Sequence, residues 1–308
     1  MEPRSDPYNS PVQGNVNTGQ VRDNGVVIAA PTLTPDDEHV EHVTTILRVT
    51  PSLLQTSHYG CRLMFGRGGF LYISLGEHFF CPTRCDAQSL FSYMGKILRV
   101  TLEGKAKPGN PSDRDQQAEN HPIAAVWSYG HRNPQGLTIN PATGDLWESE
   151  HGPDGGDEIN LIRAGSNYGW PVIAYGTNYD KTRIDGHLQS EDRANYLHAN
   201  HEAANGLTSA DGMEQPVYYW DPTIAPSGMT FYDGKIVSEW TNNLFVAALA
   251  GEHISRLVLD GTKVVGEERL LLEQHQRMRD VQEGPDGALW AIKDSANGRL
   301  IRIAPEGR

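Results

Sequence analysis

One short pattern recurs along the chain and restricts the fold more than any other feature. A turn residue is followed by a strand that opens with a leucine and an aromatic residue, and the copies lie at 69–72, 144–147, 243–245 and 287–290. Each copy leads into a second run of alternating apolar residues, at 96–100, 158–162, 254–258 and 299–303. The last two copies begin at residues 243 and 287, a spacing of about one four-stranded propeller blade. The repeats therefore predict a β-propeller rather than an ordinary β-sandwich.

The rest of the chain agrees with an all-β fold. Helix signals are scarce, and the apolar segments are short, rich in β-branched and aromatic residues, and interrupted by Gly, Pro, Asn and Asp. The wider spacings between the earlier copies predict either about two blades each or one blade with long loops. Residues 103–122 and 177–215 are predicted to be such loops.

The charge balance limits the partners. The chain has 26 Lys and Arg against 39 Asp and Glu, for a formal net charge of −13. An anionic surface repels phosphate backbones, so nucleic acid is predicted not to be a partner, whereas cations are favoured. No apolar run is long enough to span a bilayer. Residues 1–24 are polar and contain no signal peptide, and we predict a disordered leader over 1–25 and a single propeller domain over 26–308.

The chain has three cysteines, an odd number, so at least one is unpaired within the chain. Cys81 and Cys85 are close enough in sequence for a small disulfide loop. Two inert thiols are the alternative interpretation.

The densest group of chemically active residues lies between residues 123 and 179. Two Gly-containing pairs, Gly152-Pro153 and Gly155-Gly156, predict a turn with unobstructed carbonyls, surrounded by the carboxylates of Glu150, Asp154, Asp157 and Glu158. Backbone carbonyls and carboxylates are the ligands that Ca²⁺ prefers. A solvated acidic turn without a metal is the alternative interpretation.

Two arginine groups predict an anionic ligand. Arg132 and the adjacent Asn133 suit a ligand that carries carboxylates and carbonyls, because a guanidinium binds carboxylate through two parallel hydrogen bonds. Arg277 and Arg279 alternate with period two, so both side chains emerge on one face of a strand. Asp280 is the alternative partner for their charge.

Several longer motifs occur in one order along the chain. They are Y-G-H-R-N-P-Q-G-L at 129–137, E-H-G-P-D-G-G-D-E-I-N-L-I at 150–162, N-Y-G-W-P at 167–171, I-A-P-S-G-M at 224–229, R-M-R-D-V at 277–281 and G-P-D-G at 284–287. In these motifs the chain resembles the soluble PQQ-dependent glucose and aldose sugar dehydrogenases, from about residue 26 to residue 305.

The resemblance implies a fold, a reaction and a location. It implies a six-bladed propeller that holds PQQ and Ca²⁺ on its top face and oxidises the anomeric hydroxyl of aldoses to lactones, with an external electron acceptor. It also implies a periplasmic or extracellular location. The family's first blade and most of its second have no counterpart here, so an incomplete ring of four to five blades is expected.

The resemblance also implies a role for each matching residue. His58 corresponds to the general base, and the quinone contacts correspond to Arg132, Asn133, Arg277 and Arg279. The carbonyls on the catalytic Ca²⁺ correspond to Gly152 and Pro153, and the further calcium-associated positions to Glu158 and Tyr168. Two positions depart from the family: Cys61 replaces the second Gly of H-x-G-G-R, and Ala250 stands where some relatives place a Lys.

Three functions are therefore compatible with the sequence. The first is the sugar dehydrogenase. The second is a non-catalytic propeller that serves as a binding module, which Cys61, Ala250 and the missing blades favour. The third is a calcium-dependent lactonase, but a lactonase has no tricarboxylated cofactor that would require the two arginine groups.

Overall fold

A computed structural model describes residues 25–50, 52–53, 56–79, 81–112, 123–184 and 206–306 of the chain. These residues form β-strands and one four-residue helix, α1 (Cys81–Arg84), besides short 3-10 turns. The prediction of an all-β fold is confirmed. The predicted leader over residues 1–25 lies outside the described residues except for its last residue.

The described strands form five antiparallel sheets, each built from strands that are consecutive in sequence. The first is a hairpin of β1 (Val27–Leu33) and β2 (Val40–Arg48). The second contains β3 (Leu63–Gly66), β4 (Phe70–Leu75), β5 (Lys96–Thr101) and β6 (Val126–Tyr129). The third contains β7 (Pro134–Ile139), β8 (Leu146–Glu150), β9 (Asp157–Ile162) and β10 (Tyr218–Trp220).

The fourth and fifth sheets complete the described part of the chain. The fourth contains β11 (Pro226–Phe231), β12 (Leu244–Ala248), β13 (Ile254–Asp260) and β14 (Lys263–Leu270). The fifth contains β15 (Met278–Glu283), β16 (Leu289–Lys293) and β17 (Leu300–Ile303). No helix among the described residues is long and apolar enough to cross a membrane.

The recurring sequence pattern marks the same place in four of these sheets. Its copies lead into β4, β8, β12 and β16, and the alternating runs that follow form β5, β9, β13 and β17. Each copy therefore identifies the second and third strands of a sheet. Among the described residues, each of the wider spacings contains one sheet, and many residues separate β5 from β6 and β9 from β10. The described parts of the predicted loops, 103–112, 177–184 and 206–215, contain no named strand, which agrees with the interpretation of one blade with long loops.

Neighbouring sheets pack face to face through buried apolar side chains. Tyr72 and Ile97 of the second sheet meet Leu137 of the third. Trp147 of the third sheet contacts Phe231 of the fourth, with ring centroids 5.7 Å apart. Burial of each side chain of this size stabilises the fold by about 1.5–3 kcal/mol. These contacts therefore stabilise the packing of each sheet against the next.

The first strands of four sheets lie next to one another at the centre. β3 packs against β7, β7 against β11, and β11 against β15. Sheets arranged radially around their first strands are the architecture of a β-propeller. The predicted number of six blades and the missing blades stay predictions.

Candidate functional site

The residues predicted for the site lie on two kinds of loop that share one end of the propeller. Loops that precede the inner strands carry His58, Arg132, Asn133 and Arg277. Loops between the second and third strands carry Glu77, His151, Gly152, Pro153 and Asp294. In an antiparallel sheet, the start of one strand lies beside the end of its neighbour. The fold therefore gathers side chains from several sheets at one end.

His58 is held by a carboxylate that the sequence analysis did not identify. Its Nδ1 lies 2.8 Å from Oε1 of Glu77, and the two side chains are only 13% and 1% exposed. Phe79 packs edge-on against the imidazole, with centroids 4.8 Å apart. With Nδ1 donating to Glu77, Nε2 is left as the acceptor. The geometry suits a proton acceptor whose orientation is fixed.

The surroundings keep this imidazole neutral. Burial lowers the pKa of His58 well below 6.5, and the positive charges of Arg132 and Arg84 add to the effect. Burial raises the pKa of Glu77 to about 7, against the opposing charges of Arg132 and Arg84. A neutral histidine beside a buried carboxyl can accept a proton and then be stabilised as a cation.

Gly76 permits the two loops of this pair to approach. A Cβ atom at Gly76 would lie 2.0 Å from the carbonyl oxygen of His58. The approach is reinforced by a hydrogen bond of 3.3 Å from the His78 N–H to that same oxygen. Any side chain at position 76 would separate His58 from Glu77.

Arg132 is a buried cation with an unusual set of partners. It is 3% exposed, and its Nη1 donates to the carbonyl oxygens of His151, at 3.0 Å, and Gly152, at 2.5 Å. Its guanidinium lies 5.2 Å from the ring centroid of Trp170 and 5.9 Å from that of Phe79. Its Nε is buried and has no hydrogen-bond partner among the described residues. A buried charge without a carboxylate partner is costly, which points to an anionic ligand.

Asn133 turns its side chain toward the His58 loop. Its Oδ1 accepts hydrogen bonds from the Gly60 N–H at 3.4 Å and from Nε2 of Gln135 at 2.9 Å. Asn133 is 5% exposed. It ties the loop before β7 to the loop that carries the proton acceptor.

The turn at 150–158 places Gly152 and Pro153, the residues predicted to bind Ca²⁺ through their backbone carbonyls, in a small cleft. A Cβ atom at Gly152 would lie 2.2 Å from the carbonyl oxygen of Gly156, so only glycine permits this turn. The cleft is lined also by Glu150, Glu158 and Trp170. The sequence analysis expected these carbonyls to be unobstructed, but Gly152 already accepts the hydrogen bond from Arg132.

The four carboxylates predicted around the turn have different roles. Asp157 accepts hydrogen bonds from the N–H groups of Gly152, Ile224 and Ala225, so it holds the turn together. Asp154 pairs with Lys181 at the surface. Only Glu150 and Glu158 line the cleft.

A buried acidic cluster surrounds Asn160. The Nδ2 of Asn160 donates to Glu148 at 3.1 Å and to Glu150 and Glu158 at 3.2 Å each. Burial raises the pKa of Glu158 to about 8 and that of Glu148 well above 4.5, and the charge of Glu150 adds to both. Oε1 of Glu148 and Oδ1 of Asn160 have no partner among the described residues. A bound divalent cation would satisfy these oxygens.

Two further residues support the cluster. Nδ1 of His131 lies 3.3 Å from Oε1 of Glu150, and its Nε2 lies 2.9 Å from Oγ of Ser128. Tyr168 stacks on His131 with centroids 4.7 Å apart. The Tyr168 hydroxyl donates to the Leu161 carbonyl and accepts from the Arg163 N–H. Tyr168 lines the cleft, but its hydroxyl is committed elsewhere.

Arg277 and Arg279 emerge on one face, as predicted, but their partner is not Asp280. Both donate to Oδ2 of Asp294, at 2.9 Å and 3.1 Å. Asp280 instead pairs with Arg62 at 2.7 Å. The interpretation that Asp280 balances the pair is therefore wrong, because the β15–β16 hairpin brings Asp294 closer.

The sequence analysis missed Glu77, Glu148 and Asn160. Glu77 lies two residues after the end of the buried strand β4, and Glu148 and Asn160 lie within β8 and β9. A polar residue in an otherwise buried strand is the signal that would have found them.

The two positions that depart from the family pattern lie at the surface. Cys61 and Ala250 are exposed. The side chain of Cys81 lies outside the described residues, so the Cys81–Cys85 disulfide stays a prediction.

Comparison with known proteins identifies a family. The family model for glucose and sorbosone dehydrogenases matches residues 14–302. The chain belongs to this family. It is 37% identical over 281 residues to the aldose sugar dehydrogenase YliI of Escherichia coli, across 91% of this chain and 69% of that protein's length. The resemblance to this family and the prediction of an oxidoreductase of the quinoprotein type are confirmed.

Solved structures agree with this family. A crystal structure of a glucose dehydrogenase superposes with a TM-score of 0.79 at 39% identity, over 92% of this chain and 74% of that one. The PQQ-bound aldose sugar dehydrogenase of Streptomyces coelicolor gives a TM-score of 0.65 at 27% identity, over 91% of this chain and 72% of that one. The propeller described above is thus the fold of the family.

Proposed function

We propose that this protein oxidises aldose sugars at the anomeric carbon to lactones, with PQQ and Ca²⁺ as cofactors. The observation that carries the proposal is the neutral, oriented His58 beside Arg132, a buried guanidinium without a carboxylate partner in the described part of the chain. The relatives that bear the names of sugar dehydrogenases support the substrate class. In this proposal the five sheets are blades of a six-bladed ring, and the protein works in the periplasm or outside the cell.

The residues present suit a carboxylated quinone. Arg132 has an unsatisfied Nε, and Arg277 and Arg279 are 48% and 41% exposed on one face. These three guanidinium groups would hold the carboxylates and carbonyls of the quinone, with Asn133 beside them. The side chains thus supply donors, which a ligand rich in acceptors requires.

The residues also suit calcium at two places. The carbonyls of Gly152 and Pro153 would hold the catalytic ion, since the close-packed turn offers backbone oxygens and no side chain. Glu158, with the carboxylates around Asn160 and the backbone of Tyr168, would hold a second ion. When bound, the quinone accepts a hydride, and Ca²⁺ acts on it as a Lewis acid.

The chain's own residues would then handle the proton. Nε2 of His58 accepts the proton of the anomeric hydroxyl, while Nδ1 stays hydrogen-bonded to Glu77. The developing positive charge on the imidazole is stabilised by the Glu77 carboxylate at 2.8 Å. Phe79, packed against His58, restricts water around the base.

A reconstitution experiment tests this function. Purified protein is stripped with a chelator and assayed for glucose-driven dye reduction after PQQ, Ca²⁺ or both are added. We expect activity only with both, and we expect His58→Ala to lower kcat by about 10² or more without changing PQQ binding. Dye reduction that ignores chelator and cofactor would reject the proposal.

A non-catalytic binding module remains the second candidate. It is favoured by Asp294, which already pairs with both Arg277 and Arg279. This alternative predicts that no quinone binds in a fluorescence titration, whatever the Ca²⁺ concentration.

A further inference from the structure

Arg132 contacts a carbonyl oxygen that belongs to the proposed calcium site. Its Nη1 donates to the carbonyl oxygen of Gly152 at 2.5 Å and to that of His151 at 3.0 Å. The Gly152 carbonyl is one of the two oxygens proposed above for the catalytic Ca²⁺. One group is therefore the partner of a guanidinium here and of a metal ion in the proposed function.

The Arg132 guanidinium and a bound Ca²⁺ would repel each other if both contacted the Gly152 carbonyl oxygen. A divalent ion bound to the Gly152 carbonyl would lie within a few ångströms of the guanidinium, where like charges repel strongly in a medium of low dielectric constant. Arg132 is 3% exposed, so water screens little of this repulsion. Binding of the ion therefore requires the guanidinium to move.

The described contacts of the guanidinium would permit such a movement. Its planar group lies beside the rings of Trp170 and Phe79, at 5.2 Å and 5.9 Å from their centroids, and such faces allow a guanidinium to slide while it keeps its contact. Its Nε is buried without a partner among the residues described. Arg132 makes no ion pair within the described ranges that would resist the movement.

We infer that Arg132 occupies the place of the catalytic cation in the cofactor-free protein, and that Ca²⁺ displaces it toward the anionic quinone. This inference rests on the proposed function. Ca²⁺ then binds more tightly when the quinone is present to receive the guanidinium, and by linkage the quinone binds more tightly when Ca²⁺ is present. Arg132 thereby couples the two binding events.

The decisive test measures Ca²⁺ binding without quinone. Calorimetric titrations with Ca²⁺ alone compare the wild type with Arg132→Gln and Arg84→Gln. Arg84 is the matched control, because its guanidinium lies 5.4 Å from the same Trp170 ring and its Nη1 bonds to Asn178. If Arg132 competes with the ion, we expect Arg132→Gln to raise Ca²⁺ affinity about tenfold or more, within the usual range of coupled sites.

The control separates displacement from general electrostatics. Arg84→Gln removes the same charge from the same region, and we expect it to change Ca²⁺ affinity less than about threefold, since a charge that touches no ligand oxygen acts only at longer range. Equal affinity in the wild type and Arg132→Gln, or the same increase in both variants, would overturn the inference. Calcium binding to none of the three proteins would instead reject the proposed calcium site itself.

A second measurement needs no variant. The ¹⁵N resonances of the Arg132 side chain are followed in the wild type as Ca²⁺ is added without quinone, and then with it. We expect the Nη and Nε signals to shift with Ca²⁺, because the bonds to the Gly152 and His151 carbonyls are lost. Signals that stay unchanged at saturating Ca²⁺ would show that the guanidinium never leaves.

Discussion

Replacement of Glu77 by glutamine tests how the proton acceptor works. Glu77 is 1% exposed and lies 2.8 Å from Nδ1 of His58. An opposite charge at this range shifts a pKa by about 1–3 units, and each unit corresponds to about 1.36 kcal/mol. If about half of that free energy is expressed when the proton is half transferred, Glu77→Gln should lower kcat about 3- to 30-fold.

The pH profile gives the sign of the effect. In the wild type the Glu77 carboxyl becomes protonated below its pKa of about 7 and then no longer stabilises the imidazolium, so kcat should fall as the pH drops through that value. Glu77→Gln removes this titration and leaves only that of His58, whose pKa lies well below 6.5. The acid limb of the kcat profile should therefore move to lower pH in the variant, while the plateau falls. The plateau is measured at pH values above the pKa of about 7 of Glu77, where its carboxylate is charged in the wild type.

A control carboxylate separates this effect from a general loss of structure. Glu267 on β14, an edge strand of the fourth sheet, accepts hydrogen bonds from Tyr218 and Trp220 of β10 in the third sheet and from Ser255 of β13. Glu267→Gln should lower thermal stability and leave kcat unchanged. A Glu77→Gln enzyme with wild-type kcat and an unshifted acid limb would refute the role of the carboxylate.

Three further predictions concern other parts of the site. Gly76→Ala should reduce both stability and turnover, since its Cβ would lie 2.0 Å from the His58 carbonyl, whereas Gly25→Ala, with nothing nearer than 3.6 Å, should be tolerated in thermal unfolding. Asp294→Asn should strengthen quinone binding in a fluorescence titration, because it frees Arg277 and Arg279; weaker binding would contradict this. The metal-free protein should lose stability as pH rises from about 5 to 8, because the pKa of Glu158 is about 8 in the folded protein and about 4.3 in the unfolded chain. In melting curves measured across this pH range, added Ca²⁺ should reduce the loss of stability.

Much of the fold was predictable because each sheet repeats one local pattern. The leucine–aromatic copies and the runs after them mark β4 with β5 and β16 with β17, since hairpins depend on residues close in sequence. The hairpin of β1 and β2 carries no such copy, and its strands are mostly exposed, which removes the apolar alternation that would reveal them.

The site was predictable only in part. Arg132, Gly152 and Glu158 belong to motifs that stand together in the sequence, so they were found together. The partners of these motifs were not found, because contact between His58 and Glu77, or between Arg279 and Asp294, depends on how loops approach across the end of the propeller. The pairing of β15 with β16 decides whether Asp280 or Asp294 contacts the two arginines, and the sequence composition does not reveal that pairing.

The construction of each sheet from consecutive strands has a consequence for folding. Apart from β5 to β6 and β9 to β10, neighbouring strands are joined by shorter connections, which allow most of a sheet to form early at little cost in chain entropy. The site instead requires loops from the second, third and fifth sheets to meet. Assembly of the site should therefore be the late step in refolding and the early loss in denaturant. Strand signal in circular dichroism should recover faster than the capacity to bind a quinone, and mild urea should abolish that capacity while the sheets persist.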